Sequence, residues 1–139
     1  PLLDAMSDRH RRIGTVAEAQ TFKLILQARY ACQDAVDAEI VAFARDQGLD
    51  PRPYHEFLGL DIDEKYLDRD FSPSIEGMGT LAIWHKDLGY GLDVAKESDT
   101  ATPIINAVFE AYKHAFRTVS PDEGYSTTIL RYWEALNDR

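Results

Sequence analysis

From Ala17 to Gln47 apolar residues return every three or four positions, at Phe22, Leu24, Ile25, Leu26, Ala28, Ala31, Cys32, Ala35, Val36, Ile40, Val41 and Phe43, with no Pro or Gly between them. That period is helical and predicts one long α-helix. Its apolar residues spread beyond a single stripe, and Ala28, Ala31, Ala35 and Ala38 would let neighbouring helices approach closely. The helix is therefore expected near the centre of a bundle, with Gly48 as its C-terminal stop.

Asp50-Pro51 pairs a capping side chain with a proline suited to the first helical turn, and predicts a short helix to about Leu58, ended by Gly59. Asp61–Asp70 is acidic and reads as a brief helix or a loop. A second long periodic segment runs from near Glu76 to about Ser98 through Met78, Leu81, Ala82, Trp84, Leu88, Leu92, Val94 and Ala95. Gly77, Gly79, Gly89 and Gly91 each weaken it by about 1 kcal/mol relative to Ala, so close packing against that face is the better reason for them. Thr102-Pro103 repeats the cap-and-proline signature and opens a helix over Ile104–Arg117, with Ile105, Val108, Phe109, Tyr112 and Phe116 on one face. Ser120–Glu123 reads as a turn, and Ser126–Leu136 as a last helix with Ile129, Leu130, Trp133 and Leu136 inward. The sum is five or six helices and no convincing strand: an all-α domain, a helical bundle built around a long central helix.

The 139 residues suit one domain, and the 45% of them that are apolar suffice for a core. A net charge of -9 would repel a polyphosphate backbone, which argues against nucleic acid. The apolar runs fall far short of the roughly 20 residues that span a bilayer, which argues against a membrane. A single cysteine, Cys32, cannot form an intramolecular disulfide, and the chain reads as cytoplasmic. Starting at Pro1 with no signal peptide, it reads as a processed or truncated chain.

Gly77–Ala82 matches GxGxxA, but that loop cradles a pyrophosphate only between a buried strand and a helix, and Ser72–Glu76 is no such strand. His10, His55, His85 and His114 lack metal-ligand spacing, so no metal site is expected; Glu110 and His114 read as a surface pair, and Cys32 as an inert core thiol. Lys23 sits among Phe22, Leu24, Ile25 and Leu26 on a helix built for burial. Such a lysine either snorkels to water or, with Gln27 one turn on, donates a proton or hydrogen bond to a substrate oxygen. Lys86-Asp87 within the second long helix would ordinarily belong to its solvated face.

The order of these pieces carries a resemblance. Gly14, Val16, Gln20, Lys23 and Leu24 match in register the G-x-V-G-x-G-Q-x-x-K-L segment that links the two domains of β-hydroxyacid dehydrogenases, the relatives of 3-hydroxyisobutyrate and 6-phosphogluconate dehydrogenase. Ala38-Glu39 with Asp46–Asp50 resembles that family's helix end, and Lys86–Gly89 with Leu92–Ala95 resembles its K-D-L-x-x-A-L-D-x-A segment. Pro103, Tyr112 and the Tyr125–Leu136 tail fall in their usual places, so the resemblance covers most of the chain.

The resemblance implies a helical substrate-binding and dimerisation domain over residues 17–139. Residues 1–16 would be the remnant of an interdomain linker, and the N-terminal Rossmann domain that holds NAD or NADP would be absent from this chain. It further implies that Lys23 is the catalytic proton donor and acceptor, that Gln27 stands where a substrate-binding Asn usually does, and that Lys86 and Asp87 face the cofactor. The implied activity is oxidoreduction of a small 3-hydroxy acid or related carbonyl compound by a homodimer. The alternative is a non-catalytic helical dimerisation or interaction module derived from that family. Ala17 and Ala19 in place of glycines, and Leu26-Gln27 in place of Asn-Asn or Asn-Gln, favour the alternative; Lys23 with Lys86-Asp87 disfavours it.

Overall fold

A computed structural model of the chain describes residues 5–59, 62–70, 81–118 and 128–137, the side chain of Thr128 excepted. Among these the elements are helices only: α1 (Val16–Asp46), α2 (Arg52–Leu58), α3 (Glu64–Asp68), α4 (Leu81–Glu97), α5 (Pro103–Thr118) and α6 (Thr128–Asn137). The expected start of the second long helix at Glu76–Thr80, the GxGxxA run up to Thr80, and the turn at Ser120–Glu123 lie outside the described residues.

The start of α1 is fixed by a reciprocal cap. The Glu18 amide donates to Thr15 Oγ1 at 3.3 Å, while the Thr15 amide donates to Glu18 Oε2 at 2.7 Å. These bonds to the charged form pull the Glu18 carboxyl below its ordinary pKa. Gly14 just ahead adopts φ +137°, and a side chain there would collide with the Glu18 carboxylate. The glycine that the motif supplies is thus required by the cap. At the other end Gly48 is left-handed at φ +73°; its amide donates to the Arg45 carbonyl at 2.9 Å and that of Leu49 to the Ala44 carbonyl at 2.9 Å. Helix α2 starts at Arg52, whose amide donates to Asp50 Oδ1 at 3.1 Å, and Gly59 closes it in the left-handed conformation.

Helix α1 touches α3, α4, α5 and α6, which makes it the centre of the bundle as its small residues predicted. Ala28, Ala31, Ala35, Ala38 and Ala42 are buried with Val41 along one side of it. Against them pack Tyr66 and Leu67 of α3, Leu81 and Leu88 of α4, Val108, Tyr112 and Ala115 of α5, and Ile129 and Leu130 of α6. Burying each of the larger side chains contributes about 1.5–3 kcal/mol. Tyr112, wholly enclosed, donates its hydroxyl to the Ala31 carbonyl at 3.4 Å, and burial lifts its pKa well above that of a free tyrosine.

The breadth of apolar residue on α1 is explained differently from the expectation. Phe22, Ile25, Leu26, Val36, Ile40 and Phe43 are exposed, with Phe43 64% accessible, because the bundle covers only the alanine side. Leu136, expected to point inward, is also exposed. Alanine is the residue the neighbours want at the seam, so the larger aliphatic and aromatic positions are left on the opposite face.

Candidate active site

Helix α4 runs back along α1, so that Asp87 lies beside Gln27 and Gly91 beside the Leu24 carbonyl. Lys23 and Gln27, four residues apart on α1, present neighbouring side chains to the same stretch of α4. Asp87 is 3% exposed and is surrounded by three groups. Gln27 Nε2 donates to its Oδ2 at 3.3 Å, Lys86 Nζ lies 3.2 Å from Oδ1, and Lys23 Nζ lies 3.9 Å from Oδ2. A buried carboxylate without such partners would be costly, so α1 and α4 each supply part of what Asp87 requires.

All four residues singled out from the sequence therefore meet at one place. The reading of Lys86-Asp87 as a solvated face holds for Lys86, whose side chain is 53% exposed, and fails for Asp87. Lys23 reaches solvent as well, at 55%. Two ammonium groups share one carboxylate, which leaves an excess of positive charge at the surface of a chain that is acidic overall. The amide oxygen of Gln27 has no donor among the described residues. The cluster can therefore hold an anionic group, donate a proton from an ammonium, and accept a hydrogen bond from a hydroxyl.

Next along α4, His85 is stacked between Phe109 and Phe116 of α5, with ring centroids 5.0 and 5.1 Å away. Desolvation, then Lys113 and Arg117, depress its pKa against a smaller opposing effect of Glu110. This stack was not legible in the sequence, since no helical period links position 85 to positions on α5. Glu110 pairs with Lys113 at 3.1 Å, in place of the expected pairing with His114. Cys32 is half-buried, and burial raises its thiol pKa, which keeps it protonated and unreactive. At the far end of α1, Arg45 donates to the Leu67 carbonyl at 2.8 Å and pairs with Glu134 at 3.3 Å; Arg69 reaches the same carboxylate at 2.8 Å. Among the described residues no group of three or more His, Cys, Asp or Glu could hold a metal ion, and no helix is long and apolar enough to cross a membrane.

No family model matches the chain, and no curated protein does. Among solved structures, 3-hydroxyisobutyrate dehydrogenase from Salmonella typhimurium is similar, with a TM-score of 0.81 at 21% identity over 94% of this chain and 48% of that one. The chain has the fold of half of that dehydrogenase. It spans about half of the dehydrogenase's length. The all-α bundle around a long central helix, expected from the sequence and from the family resemblance, is thus the fold found, and the Lys23–Gln27–Asp87–Lys86 cluster lies on the seam between its two longest helices.

Proposed function

We propose that this chain is the helical substrate-binding and dimerisation domain, over residues 17–139, of an NAD- or NADP-dependent oxidoreductase acting on a small 3-hydroxy acid or related carbonyl compound. Residues 1–16 are the linker toward a nucleotide-binding half. The observation that carries the reading is the convergence of Lys23, Gln27 and Lys86 on the buried Asp87.

In this reading Lys23 donates a proton to the carbonyl oxygen as negative charge develops on it during reduction. In the oxidative direction its neutral amine takes the proton from the substrate hydroxyl. Asp87 holds both ammonium groups at the seam, and Gln27, its amide nitrogen on Asp87, turns its oxygen to a substrate hydroxyl. A carboxylate on the substrate would meet the excess positive charge left by two lysines and one aspartate. The nicotinamide cofactor supplies or accepts the hydride. This chain's share in holding the cofactor would be Lys86, facing it across an interdomain cleft, with the buried Asp87 orienting Lys86 and its surroundings.

The exposed apolar side of α1 supports a homodimer, because a run of aliphatic and aromatic residues on one helix face is what a second subunit covers. A lone, protonated cysteine suits the cytoplasm. The same apolar face also favours the second reading, a dimerisation or interaction module without catalysis. The two separate in a protein that joins this bundle to its nucleotide-binding half. There Lys23→Ala should lower kcat by about 10²- to 10⁴-fold with the NAD(P) dissociation constant unchanged. Unaltered turnover removes Lys23 from the mechanism, and failure of the joined protein to bind either nucleotide leaves the module.

A further inference from the structure

Helix α1, the C-terminal half of α4 and the start of α5 line a pocket of about 190 Å³ that opens to solvent past the exposed Ile25, and none of Lys23, Gln27, Lys86 or Asp87 lines it. The space exists because small residues stand where larger ones would fill it: Ala28 on α1, Gly91 and Ala95 on α4. A side chain begun at Gly91 would meet nothing nearer than the Leu24 carbonyl oxygen, 4.0 Å away. Leu24, Val94 and Ile105 give it an apolar lining, and no charged side chain contributes.

The polar groups of this cavity are hydroxyls. Those of Ser98 and Thr100 are used at the end of α4, where Ser98 Oγ donates to the Val94 carbonyl at 3.1 Å and lies 2.9 Å from Thr100 Oγ1. Thr102 Oγ1 accepts from Asn106 Nδ2 at 3.2 Å, which leaves its own proton without an acceptor among the described residues. The Thr21 hydroxyl likewise has no protein partner there. Two hydroxyls with no protein acceptor among the described residues therefore border the apolar pocket, within reach of water at its open side.

We propose that this cavity is a binding site for a small uncharged molecule with a compact hydrocarbon body and a single acceptor oxygen, of the class of a cyclic ketone or lactone. The volume is on the scale of one small ring, for which about 150 Å³ suffices in a closed apolar cavity, although this pocket is open on one side. Charge is disfavoured because no side chain of the lining offers a counter-charge. An acceptor oxygen on the ligand would be met by the hydroxyls of Thr21 and Thr102. This site is separate from the lysine cluster and does not depend on the oxidoreductase reading.

The test is a titration of the isotope-labelled chain with cyclopentanone, followed by amide resonances. Saturable shifts should appear at Thr21, Gly91, Ala95 and Thr102 and be absent at His114, an exposed residue further along α5. Ala95→Leu, which fills the space, should abolish them, and Gly91→Ala, a smaller filling that α4 accommodates, should weaken them. Thr102→Val should weaken binding about fivefold, the loss of one neutral hydrogen bond. Isobutyrate, a charged probe of similar bulk, should give no saturable shifts. Absence of saturable shifts with cyclopentanone, or identical shifts in a folded Ala95→Leu or Gly91→Ala variant, overturns the proposal; tighter binding of isobutyrate than of cyclopentanone does so too.

Discussion

Lys23 on α1 and Asp87 on α4 face each other across the helix seam at 3.9 Å, the one half in solvent and the other buried. Lys86 holds the second oxygen of the same carboxylate at 3.2 Å. Because both lysines are largely exposed, either alone should cost less than about 1 kcal/mol when replaced by alanine. Replacing both leaves Asp87 buried with only Gln27, so the double variant should lose about 1 kcal/mol more than the two singles together. Urea denaturation of the four proteins measures this coupling. Strict additivity would mean that the carboxylate does not rely on the pair.

His85 gives the fold an acid-sensitive point. With its pKa lowered in the bundle from 6.5, the folded state binds a proton less readily than the unfolded chain. Its contribution is complete above the unfolded pKa and declines as pH falls below it, levelling off under the folded pKa. Lys113 and Arg117 on α5 add to the effect and Glu110 opposes it. His85→Phe should keep the ring stack and flatten the acid-side fall in the urea midpoint. A pH profile unchanged by that substitution would place the sensitivity elsewhere.

Arg45 ties the end of α1 to α3 and α6 through the Leu67 carbonyl and Glu134. Removing a charged, half-buried donor to two elements should cost about 2 kcal/mol in Arg45→Ala. Arg45→Lys should recover little, since one ammonium cannot span both acceptors. Equal stability of Arg45→Lys and the parent chain, by thermal denaturation, would show that charge alone suffices.

Asp99, with φ +52°, closes α4 in the left-handed conformation, and the next amide, that of Thr100, donates to the Ala95 carbonyl at 2.8 Å. Asp99→Gly relieves the Cβ crowding of that conformation and should stabilise the chain by about 0.5–1 kcal/mol. A lower melting temperature in the variant would contradict this.

Ile40 and Phe43 of α1 border one hollow with Trp133 and Leu136 of α6. If a second copy covers this face, Ile40→Glu with Phe43→Glu should convert a dimer into a folded monomer in sedimentation analysis. A mass that the double substitution leaves unaltered would remove this face from the interface.

Much of this was legible in the sequence. Thr15, Glu18 and Gly48 act through bonds to their own neighbours, so the ends of α1 could be read locally. The alanines marked the side of α1 where other helices pack, and the spacing of Lys23 and Gln27 put both on one face. What could not be read was which side of a doubly apolar helix is covered: Phe22 and Ile40 have the same period as Ala31 and Ala38, and only the presence of α4, α5 and α6 tells them apart. The burial of Asp87 was hidden for the same reason, because its neighbour in sequence, Lys86, is exposed while its enclosure comes from α1. The contacts of His85 and Arg45 likewise join residues far apart in the chain, between which no local rule operates.

The row of alanines on α1 has a consequence for chemistry as well as for packing. A methyl-sized contact sets how near the backbones of α1 and α4 can come, and that spacing decides whether a glutamine side chain is long enough to touch the aspartate opposite. Selection for a working cluster would therefore act on volume at Ala28 and Ala31, residues with no polar atom in their side chains. A single added isopropyl group there would loosen Gln27 from Asp87 without altering any charge.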